Sequence, residues 1–187
     1  MDERLISQAR LGDEEAFASL TESLVDRFHA VARNILRDPA LADDAVQAAL
    51  VRVWRDLPRL REPQRFEAWT YRLLVNACYS EARRARRWTP SIRGRPGSEP
   101  MTADGTGLVA DRDELERGFR RLPMDQRAVV VLHHYLDLSR EESAEVLGIP
   151  LGTVHSRLRT AMRLLRSALD ADGRPASSDA TARALAR

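Results

Sequence analysis

The chain has 187 residues, of which 43% are hydrophobic and 31% charged, and this composition is typical of a soluble globular protein with one or two domains. No apolar run approaches the roughly 20 residues that a membrane-spanning helix needs, and the N-terminal residues lack the apolar core of a signal peptide. The single cysteine, Cys78, excludes an internal disulfide framework and a cysteine-based zinc site. We therefore expect a cytoplasmic protein without membrane insertion, in which Cys78 is a small buried apolar residue.

Charge is distributed unevenly along the chain, although the net charge is only +2. All 30 basic residues are arginine, and the first 62 residues carry twelve acidic residues against nine arginines. By contrast, residues 83–95 contain six arginines and no acidic residue, and residues 154–169 contain four arginines, one histidine and no acidic residue. Two separate basic segments on a nearly neutral chain indicate two contacts with a polyanion.

Helical periodicity dominates the first half of the chain, whereas an aromatic content of 5% and the lack of period-two alternation argue against strands. After Gly12, Asp13 can cap a helix that ends before Pro39. A third helix is predicted over about 41–57 and a fourth over about 64–87. The residues predicted to share one side of each of these three helices are, in order, Phe17, Leu20, Leu24, Phe28, Val31 and Ile35; Val46, Leu50, Val53 and Leu57; and Phe66, Trp69, Leu73, Asn76 and Ala77.

The segment 89–107 differs from the rest of the chain because it has three prolines and four glycines with little hydrophobic content. Such a composition predicts a flexible linker and a domain boundary. We therefore predict a first domain over 1–88, a linker over 89–110, a second domain over 111–169 and a disordered polar tail over 170–187. The predicted fold class is all-α, with two small helical domains.

The second half begins with a short helix predicted over 111–122, followed by one that opens with Pro123 as its first residue and runs through Tyr135. Ser139 and Glu142 fit a capping box, in which each side chain bonds the backbone amide of the other residue. The helix that they open is short and is expected to end at Gly148. The last helix is predicted over 151–169.

A short capped helix, a glycine turn and a second helix with a basic face form a helix-turn-helix pattern. At about 100° per residue, the last helix separates its apolar residues from its basic and polar ones. One side holds Val154, Leu158, Ala161, Leu165 and Leu169, and the other holds His155, Ser156, Arg159, Arg163 and Arg166, with Gly152 at its leading edge. This division suits a helix that enters the major groove of DNA. The alternative is an ordinary helix pair with a solvated arginine face.

Contact with phosphate is expected at two places on the same helix. Gly152 and Thr153 form its first turn, where free backbone amides and the helix dipole attract anions. Arg157 lies on a flank of the helix, where a phosphate is a better partner than a base.

Two surfaces of the first domain are further candidates. The end of the fourth helix carries Arg83, Arg84, Arg86 and Arg87. These arginines are either a nucleic-acid contact or a solvated helix end. The third helix carries Asp43, Asp44, Gln47 and Trp54. Its acidic and polar surface would repel DNA, so a basic protein surface is its expected partner.

No pattern of residues predicts catalysis, a cofactor or a metal ion. The sequence lacks a glycine-rich phosphate loop after a strand, a nucleophile elbow and a carboxylate pair with a supporting base. His133 and His134 are adjacent on a helix and point about 100° apart, so they are not expected to chelate one ion. We therefore expect no enzyme activity, no cofactor and no metal.

Four segments, arranged in order around the linker, resemble those of a bacterial extracytoplasmic function (ECF) sigma factor. They are ADDAVQAALVRVW, RFEAWTYRLLVNACYSEARRARR, LPMDQRAVVVLHHY and SREESAEVLGIPLGTVHSRLRTAMRLLR. The resemblance implies two helical domains that dock on core RNA polymerase. The first would bind the clamp helices of the β′ subunit and read the −10 promoter element. The second would sit on the β flap and place its recognition helix in the −35 major groove.

The resemblance assigns a role to each candidate surface by position. Polymerase binding falls to Asp43, Asp44, Gln47 and Trp54. Recognition of the −10 element falls to Asn76, to Arg83, Arg84, Arg86 and Arg87, and to the loop residues Arg61, Glu62, Gln64 and Arg65. In this family that loop captures a flipped base. Recognition of the −35 element falls to Thr153, His155, Ser156, Arg157 and Arg159, with Gly152 and Arg163 beside them.

Some positions depart from the family pattern. A large aliphatic residue is usual where this chain has Ser143, a lysine or arginine is common at His155, and an arginine is common at Thr160. The −35 helix is thus less basic than in typical members, and its target sequence stays open.

The function predicted from these residues is that of a promoter-specificity subunit, with core RNA polymerase and promoter DNA as partners. An anti-sigma factor is a common further partner in such families. Two alternatives stay open at this point. A free-standing helix-turn-helix regulator would bind DNA without core polymerase, and a structural helical adaptor would bind neither.

Overall fold

The structure, a computed structural model, describes residues 2–88 and 108–170, and all regular structure in these two ranges is helical. The chain divides into two compact units, one mainly before and one mainly after position 92. The predicted fold class, two helical domains of which the second carries a helix-turn-helix, is confirmed. Most of the predicted linker and of the predicted tail lies outside the described residues.

Four α-helices and two short 3₁₀ turns build the first unit. The α-helices are α1 Glu3–Arg10, α2 Glu14–Leu36, α3 Pro39–Asp56 and α4 Phe66–Trp88, and the 3₁₀ turns are Leu57–Arg59 and Pro63–Arg65. The carboxylates of Asp2, Asp13 and Asp38 cap α1, α2 and α3 by accepting hydrogen bonds of 2.9–3.1 Å from amides of the first turn. These local signals explain why the predicted ends of α2 and α3 lie close to the observed ones.

The core of the first unit lies between α2, α3 and α4. The predicted stripe of α2 is fully buried except for Phe17, which is half-buried. Phe28 of α2 contacts Tyr71 of α4 at a ring-centroid distance of 6.0 Å. Burial of each large apolar side chain contributes roughly 1.5–3 kcal/mol relative to exposure, so this core holds the three helices in register.

The five residues that the sequence places near one face of α4 do not coincide with its buried side. Asn76 is exposed, and Trp69 and Leu73 are only half-buried. The residues that α4 buries are Phe66, Thr70, Tyr71, Leu74, Val75, Ala77, Cys78 and Glu81. The buried side is therefore rotated away from Asn76, and it includes Tyr71, which contacts Phe28 of α2. Asn76 lies at the surface as a consequence.

The described part of the second unit contains four α-helices and one π-helical turn. The α-helices are α5 Leu108–Arg121, α6 Met124–Val130, α7 Arg140–Leu147 and α8 Leu151–Asp170, and the π turn is Val131–Tyr135. Pro123 is not the first helical residue as predicted, because its ψ of 147° is extended and it caps α6 from outside. The helix predicted through Tyr135 is confirmed, but its last five residues are a π turn, in which the amide of Leu136 bonds the carbonyl five residues back at 3.1 Å.

α5 packs closely on α8 at Gly118. A Cβ built on Gly118 would lie 3.0 Å from the Cβ of Ala168 and 3.4 Å from Cδ2 of Leu165. Arg127 joins α6 to the end of α5 by donating from Nη1 to the carbonyl of Leu122 at 2.7 Å. Within the second unit, α8 is therefore held by closely packed helices.

Candidate nucleic-acid interface

The corner between α7 and α8 has the predicted geometry. The amide of Ser139 donates to Oε2 of Glu142 at 2.7 Å, and the amide of Glu142 donates to Oγ of Ser139 at 3.0 Å. This reciprocal capping box opens α7. Gly148 ends it with a φ of +64°, in the left-handed region that glycine adopts without strain. α8 begins at Leu151, so a helix-turn-helix is formed.

The inward side of α8 is apolar and closely packed. Val154, Leu158, Ala161 and Leu165 are each 0–6% exposed. They pack against the rest of the second unit, including α5 and α6. The side chain of Leu169, which completes the predicted stripe, lies outside the described side chains. The rotation of α8 about its own axis is fixed by this stripe.

The outward side of α8 carries most of the predicted −35 residues. Gly152, Ser156, Arg159 and Arg163 are exposed, and Thr153 and His155 are half-buried. Across residues 2–88 and 108–170, no ion pair involves Arg159, Arg163 or Arg166. Their guanidinium groups can therefore bind an incoming anion without first losing a partner.

Arg157 differs from these arginines because it has an internal partner. Its Nη2 lies 3.1 Å from Oδ2 of Asp125, which belongs to the first turn of α6. Its side chain is only 27% exposed. The structure thus places Arg157 beside a carboxylate, where the sequence predicts contact with a phosphate.

The end of α4 is a second basic surface, and it too contains one paired arginine. Arg83, Arg86 and Arg87 are exposed and form no ion pair with the described residues. Arg84 instead donates from Nη2 to Oδ2 of Asp44 at 3.0 Å, and the same nitrogen lies 2.8 Å from Oε2 of Glu81. Arg84 therefore ties α4 to α3, although the sequence assigns it to DNA and Asp44 to the polymerase.

The loop between α3 and α4 presents its predicted residues at the surface. Arg61, Glu62, Gln64 and Arg65 are all exposed, and Nε of Arg65 lies 2.8 Å from Oε2 of Glu62. Leu60 and Phe66 are buried at its two ends. The loop is therefore anchored on both sides while its polar residues face outward.

The aromatic residues of α4 have different accessibility. Tyr71 and Phe66 are 1% exposed and belong to the core, so they are not available for stacking on bases. Trp69 and Tyr79 are half-buried. The expectation that Phe66 is a core residue is confirmed, whereas Trp69 is more accessible than expected.

The exposed side of α3 is acidic near its start and apolar near its end. Asp43, Asp44 and Gln47 are exposed. Oδ1 of Asp43 lies 3.2 Å from Nδ1 of His29 and 3.7 Å from Nη2 of Arg33. The Arg33 guanidinium reduces the negative charge that Asp43 presents to a partner.

Exposed apolar residues lie beyond these acids. Trp54 is 48% exposed and meets Phe17 edge to face at a centroid distance of 4.5 Å. Val51 is 59% exposed, and the sequence analysis missed it. The available signal was that Val51 falls out of phase with the buried residues Val46 and Val53. Together, Trp54 and Val51 give α3 an exposed apolar patch beside its acidic end.

Other candidate sites in the described residues are limited. No group of three histidine, cysteine, aspartate or glutamate side chains in 2–88 and 108–170 is placed to hold a metal ion. No helix among those residues combines the length and the apolar character needed to cross a membrane. Burial raises the pKa of the Cys78 thiol to about 12, so this thiol is neutral and unreactive near pH 7.

Comparison with known proteins identifies the family. The model described as Sigma-70 region 2 matches residues 20–88, and the model described as Sigma-70, region 4 matches residues 112–165. The chain is 33% identical to the ECF RNA polymerase sigma factor SigM of Mycobacterium tuberculosis, over 88% of this chain and 83% of that protein. It is also 33% identical to the RNA polymerase sigma-E factor of Streptomyces coelicolor, over 95% of this chain and 96% of that protein.

Solved structures show a similar fold. CnrH, solved in complex with the cytosolic domain of CnrY, matches with a TM-score of 0.65 and 28% identity, over 92% of this chain and 99% of that chain. The sigma factor RpoE of Bartonella quintana, solved with the anti-sigma factor NepR, matches in fold with a TM-score of 0.67 at 23% identity, over 83% of this chain and 98% of that chain. Because both sigma regions match and the relatives align over most of their length, the chain belongs to the extracytoplasmic function family of RNA polymerase sigma factors.

Proposed function

We propose that this sigma factor reads its promoter with one surface on each unit and docks on the polymerase with a third. The outward side of α8 reads the −35 element. The end of α4 and the loop 61–65 read the −10 element, and the exposed side of α3 binds the clamp helices of the β′ subunit. The second unit rests on the β flap, which holds α8 over the −35 element.

The observation that carries this proposal is the division of α8 into a buried and a free side. Arg159 and Arg163 are exposed and unpaired among the described residues, on the side opposite the buried stripe. Such arginines bind guanine edges in a bidentate manner and also neutralise phosphates. A Cβ built on Gly152 would meet nothing within 4 Å, so the first turn leaves room for the DNA backbone to approach.

The first unit supports recognition of the −10 element in a different way. Asn76 and the unpaired Arg83, Arg86 and Arg87 share the exposed surface of α4. The loop 61–65 adds further polar groups between its two buried anchors. A surface of this kind suits a melted strand, in which phosphates are held by arginines and an extruded base is held by the loop.

Docking on the polymerase is supported by the composition of the α3 surface. Acidic residues attract a basic partner, and an exposed tryptophan beside an exposed valine supplies apolar area of the type that anchors protein interfaces. DNA would be repelled by Asp43 and Asp44, so a protein is the better occupant of this side.

The family acts in the regulation of transcription, and this supports proposals about the catalytic role, the location and the inhibitor of this chain. We propose that this chain has no catalytic role of its own, because the polymerase supplies the chemistry. It acts in the cytoplasm, where the polymerase works. An anti-sigma factor is its proposed inhibitor, since the RpoE match was solved with one and CnrH with a cytosolic partner domain.

Run-off transcription with a bacterial core RNA polymerase tests the proposal. A promoter duplex is first selected from a randomised library with the wild-type chain and core polymerase. The wild type should produce a transcript that core polymerase alone does not produce. No dependence on the added chain would overturn the proposal, and DNA binding without core polymerase would favour a free-standing regulator.

Three variants separate the surfaces. Asp43→Asn with Asp44→Asn should weaken binding to core polymerase, whereas Glu22→Gln, an exposed acid on α2, should not. Arg159→Ala should weaken transcription and leave polymerase binding intact. Unchanged docking in the double variant would contradict the role of α3, and lost docking in Arg159→Ala would contradict the role of α8.

A further inference from the structure

Arg157 lies on a different side of α8 from the free arginines. At about 100° per residue, it is about 160° from Arg159 and about 120° from Arg163 around the helix axis. By the same measure it is about 60° from the buried Val154 and about 100° from the buried Leu158. Arg157 is therefore at the edge of the packed side, consistent with a side chain that is only 27% exposed.

The partner of Arg157 is well placed to hold it. Asp125 lies in the first turn of α6, where the amides of the helix start stabilise a negative charge. The ion pair with Arg157 connects the start of α6 to the first half of α8 at 3.1 Å. α6 and α8 also pack on each other, and Ala128 of α6 and Leu158 of α8 are both buried. The pair thus lies at the rim of an existing helix contact.

A phosphate at Arg157 would face an electrostatic obstacle. It would either approach the Asp125 carboxylate, which is 41% exposed, or replace it as the partner of Arg157. Arg159 and Arg163 present no such competition among the described residues. Contact with DNA through Arg157 is thus disfavoured relative to contact through the outward side.

We propose that Asp125 is a positioning residue for −35 recognition and that Arg157 acts through it rather than on DNA. The ion pair adds a polar restraint to the rotation of α8 that the apolar stripe sets, and this rotation decides where Ser156, Arg159 and Arg163 meet the groove. A helix that presents base-reading side chains needs this support, because small errors in angle displace every contact on one face. The inference rests on the proposed function of α8, and it replaces the phosphate contact that the sequence predicts for Arg157.

The salt dependence of promoter binding distinguishes positioning from phosphate contact. The full-length chain with core polymerase is titrated onto the selected promoter duplex at several salt concentrations. Each phosphate contact contributes about 0.9 to the slope of log K against log salt. Arg157→Gln should weaken binding about three- to tenfold without changing the steepness of the salt dependence. The control Arg163→Gln should make the salt dependence less steep by about one unit of slope, because it removes a phosphate contact. A less steep salt dependence for Arg157→Gln would overturn the inference.

Reversal of the charges tests the pair itself. Asp125→Asn and Arg157→Gln should weaken promoter binding by similar factors, and the double variant should be no weaker than either alone. Asp125→Arg combined with Arg157→Asp should recover most of the binding, whereas Asp125→Arg combined with Arg159→Asp should not. If the reversed pair fails to fold, as judged by thermal unfolding, the cycle of Asp125→Asn, Arg157→Gln and their double variant tests the ion pair instead. Unchanged or tighter binding by Asp125→Asn would contradict the proposal.

Failure of the inference is distinguishable from failure of the proposed function. If the wild-type chain selects no promoter with core polymerase, the sigma-factor role of α8 fails and the positioning role fails with it. If the wild type transcribes normally and only the Arg157 slope or the reversed pair gives the wrong result, the inference alone fails.

Discussion

The two basic regions of this protein are built differently. On α8, the free arginines share one side of the helix because the opposite side is a continuous apolar stripe. At the end of α4, the free arginines Arg83, Arg86 and Arg87 lie within five residues and span about 100° of the helix circumference, beyond most of the buried contacts. α8 therefore presents a row of donors along a packed helix, and the end of α4 presents a short cluster of positive charge.

This difference matches the two states of DNA that a promoter offers. A closed duplex has a regular groove, so a rigid row of side chains can read it. A melted strand has no fixed groove, so a short cluster of positive charge together with a capture loop is more suitable. In both regions one arginine forms an ion pair within its own unit. Arg157 pairs with Asp125, and Arg84 pairs with Asp44 and Glu81.

The largest expected effect is a loss of stability confined to the second unit, which carries α8. Leu165→Ala removes a side chain with 0% exposure from the stripe of α8, and such a change costs about 2–5 kcal/mol of unfolding free energy. Leu164→Ala, at a position that is 43% exposed, is the matched control and should cost less than about 1 kcal/mol. Hydrogen exchange should show loss of protection in the second unit only. Equal effects of the two variants would contradict the assigned packing of α8.

A smaller effect on unfolding free energy should distinguish Arg84 from its neighbour Arg83. Arg84→Ala leaves the carboxylate of Glu81, which is 9% exposed, without its cation, whereas Arg83→Ala removes only a free charge. We expect Arg84→Ala to lower the unfolding free energy of the first unit by about 1 kcal/mol, allowing for solvent screening, and Arg83→Ala to change it by less than about 0.5 kcal/mol. Urea denaturation measures both. Equal stability would contradict a structural role for Arg84.

The two glycines of the helix-turn-helix should respond in opposite directions. Gly148→Ala forces a side chain into a φ of +64° and should destabilise the second unit by about 1 kcal/mol. Gly152→Ala lies within a helix with open space around the added methyl group and should stabilise it by about 0.5–1 kcal/mol. Thermal unfolding checks the signs. A stabilised Gly148→Ala variant would show that the corner is not held in the left-handed region.

The smallest expected effect is a pH dependence confined to the second unit. Burial lowers the pKa of His134, and the adjacent His133 lowers it further. The unfolded chain therefore binds a proton more readily, so the unfolding free energy is complete above the ordinary histidine pKa of about 6.5 and falls as the pH drops towards the folded pKa. Urea denaturation at pH 7.5 and 5.5 should show a smaller difference for His134→Gln than for the wild type. An unchanged difference would contradict this account.

Local signals explain which features could be predicted from the sequence. The caps at Asp13, Ser139 and Glu142 and the turn at Gly148 depend on residues that are close in the chain, and they were found correctly. The stripe of α8 was also correct at every position whose side chain is described, because its spacing is regular. The DNA and polymerase roles of individual residues came from family resemblance and stay proposals.

Features that depend on tertiary packing could not be predicted. The rotation of α4 is set by Tyr71 against Phe28, two residues far apart in sequence, so the periodicity of α4 alone suggested a different side. The ion pairs of Arg84 and Arg157 likewise join separate helices. Periodicity also gave no indication of the π turn at 131–135, because it changes the pitch without changing the apolar pattern.

The central claim is that the two regions read different promoter elements, and transcription from altered promoters tests it most directly. The selected promoter is substituted in either its −35 or its −10 element and transcribed with the wild type, Arg159→Ala or Asn76→Ala. Arg159→Ala should reduce discrimination at −35 by about tenfold and leave discrimination at −10 unchanged, and Asn76→Ala should do the reverse. Loss of −10 discrimination in Arg159→Ala, or of −35 discrimination in Asn76→Ala, would contradict the account.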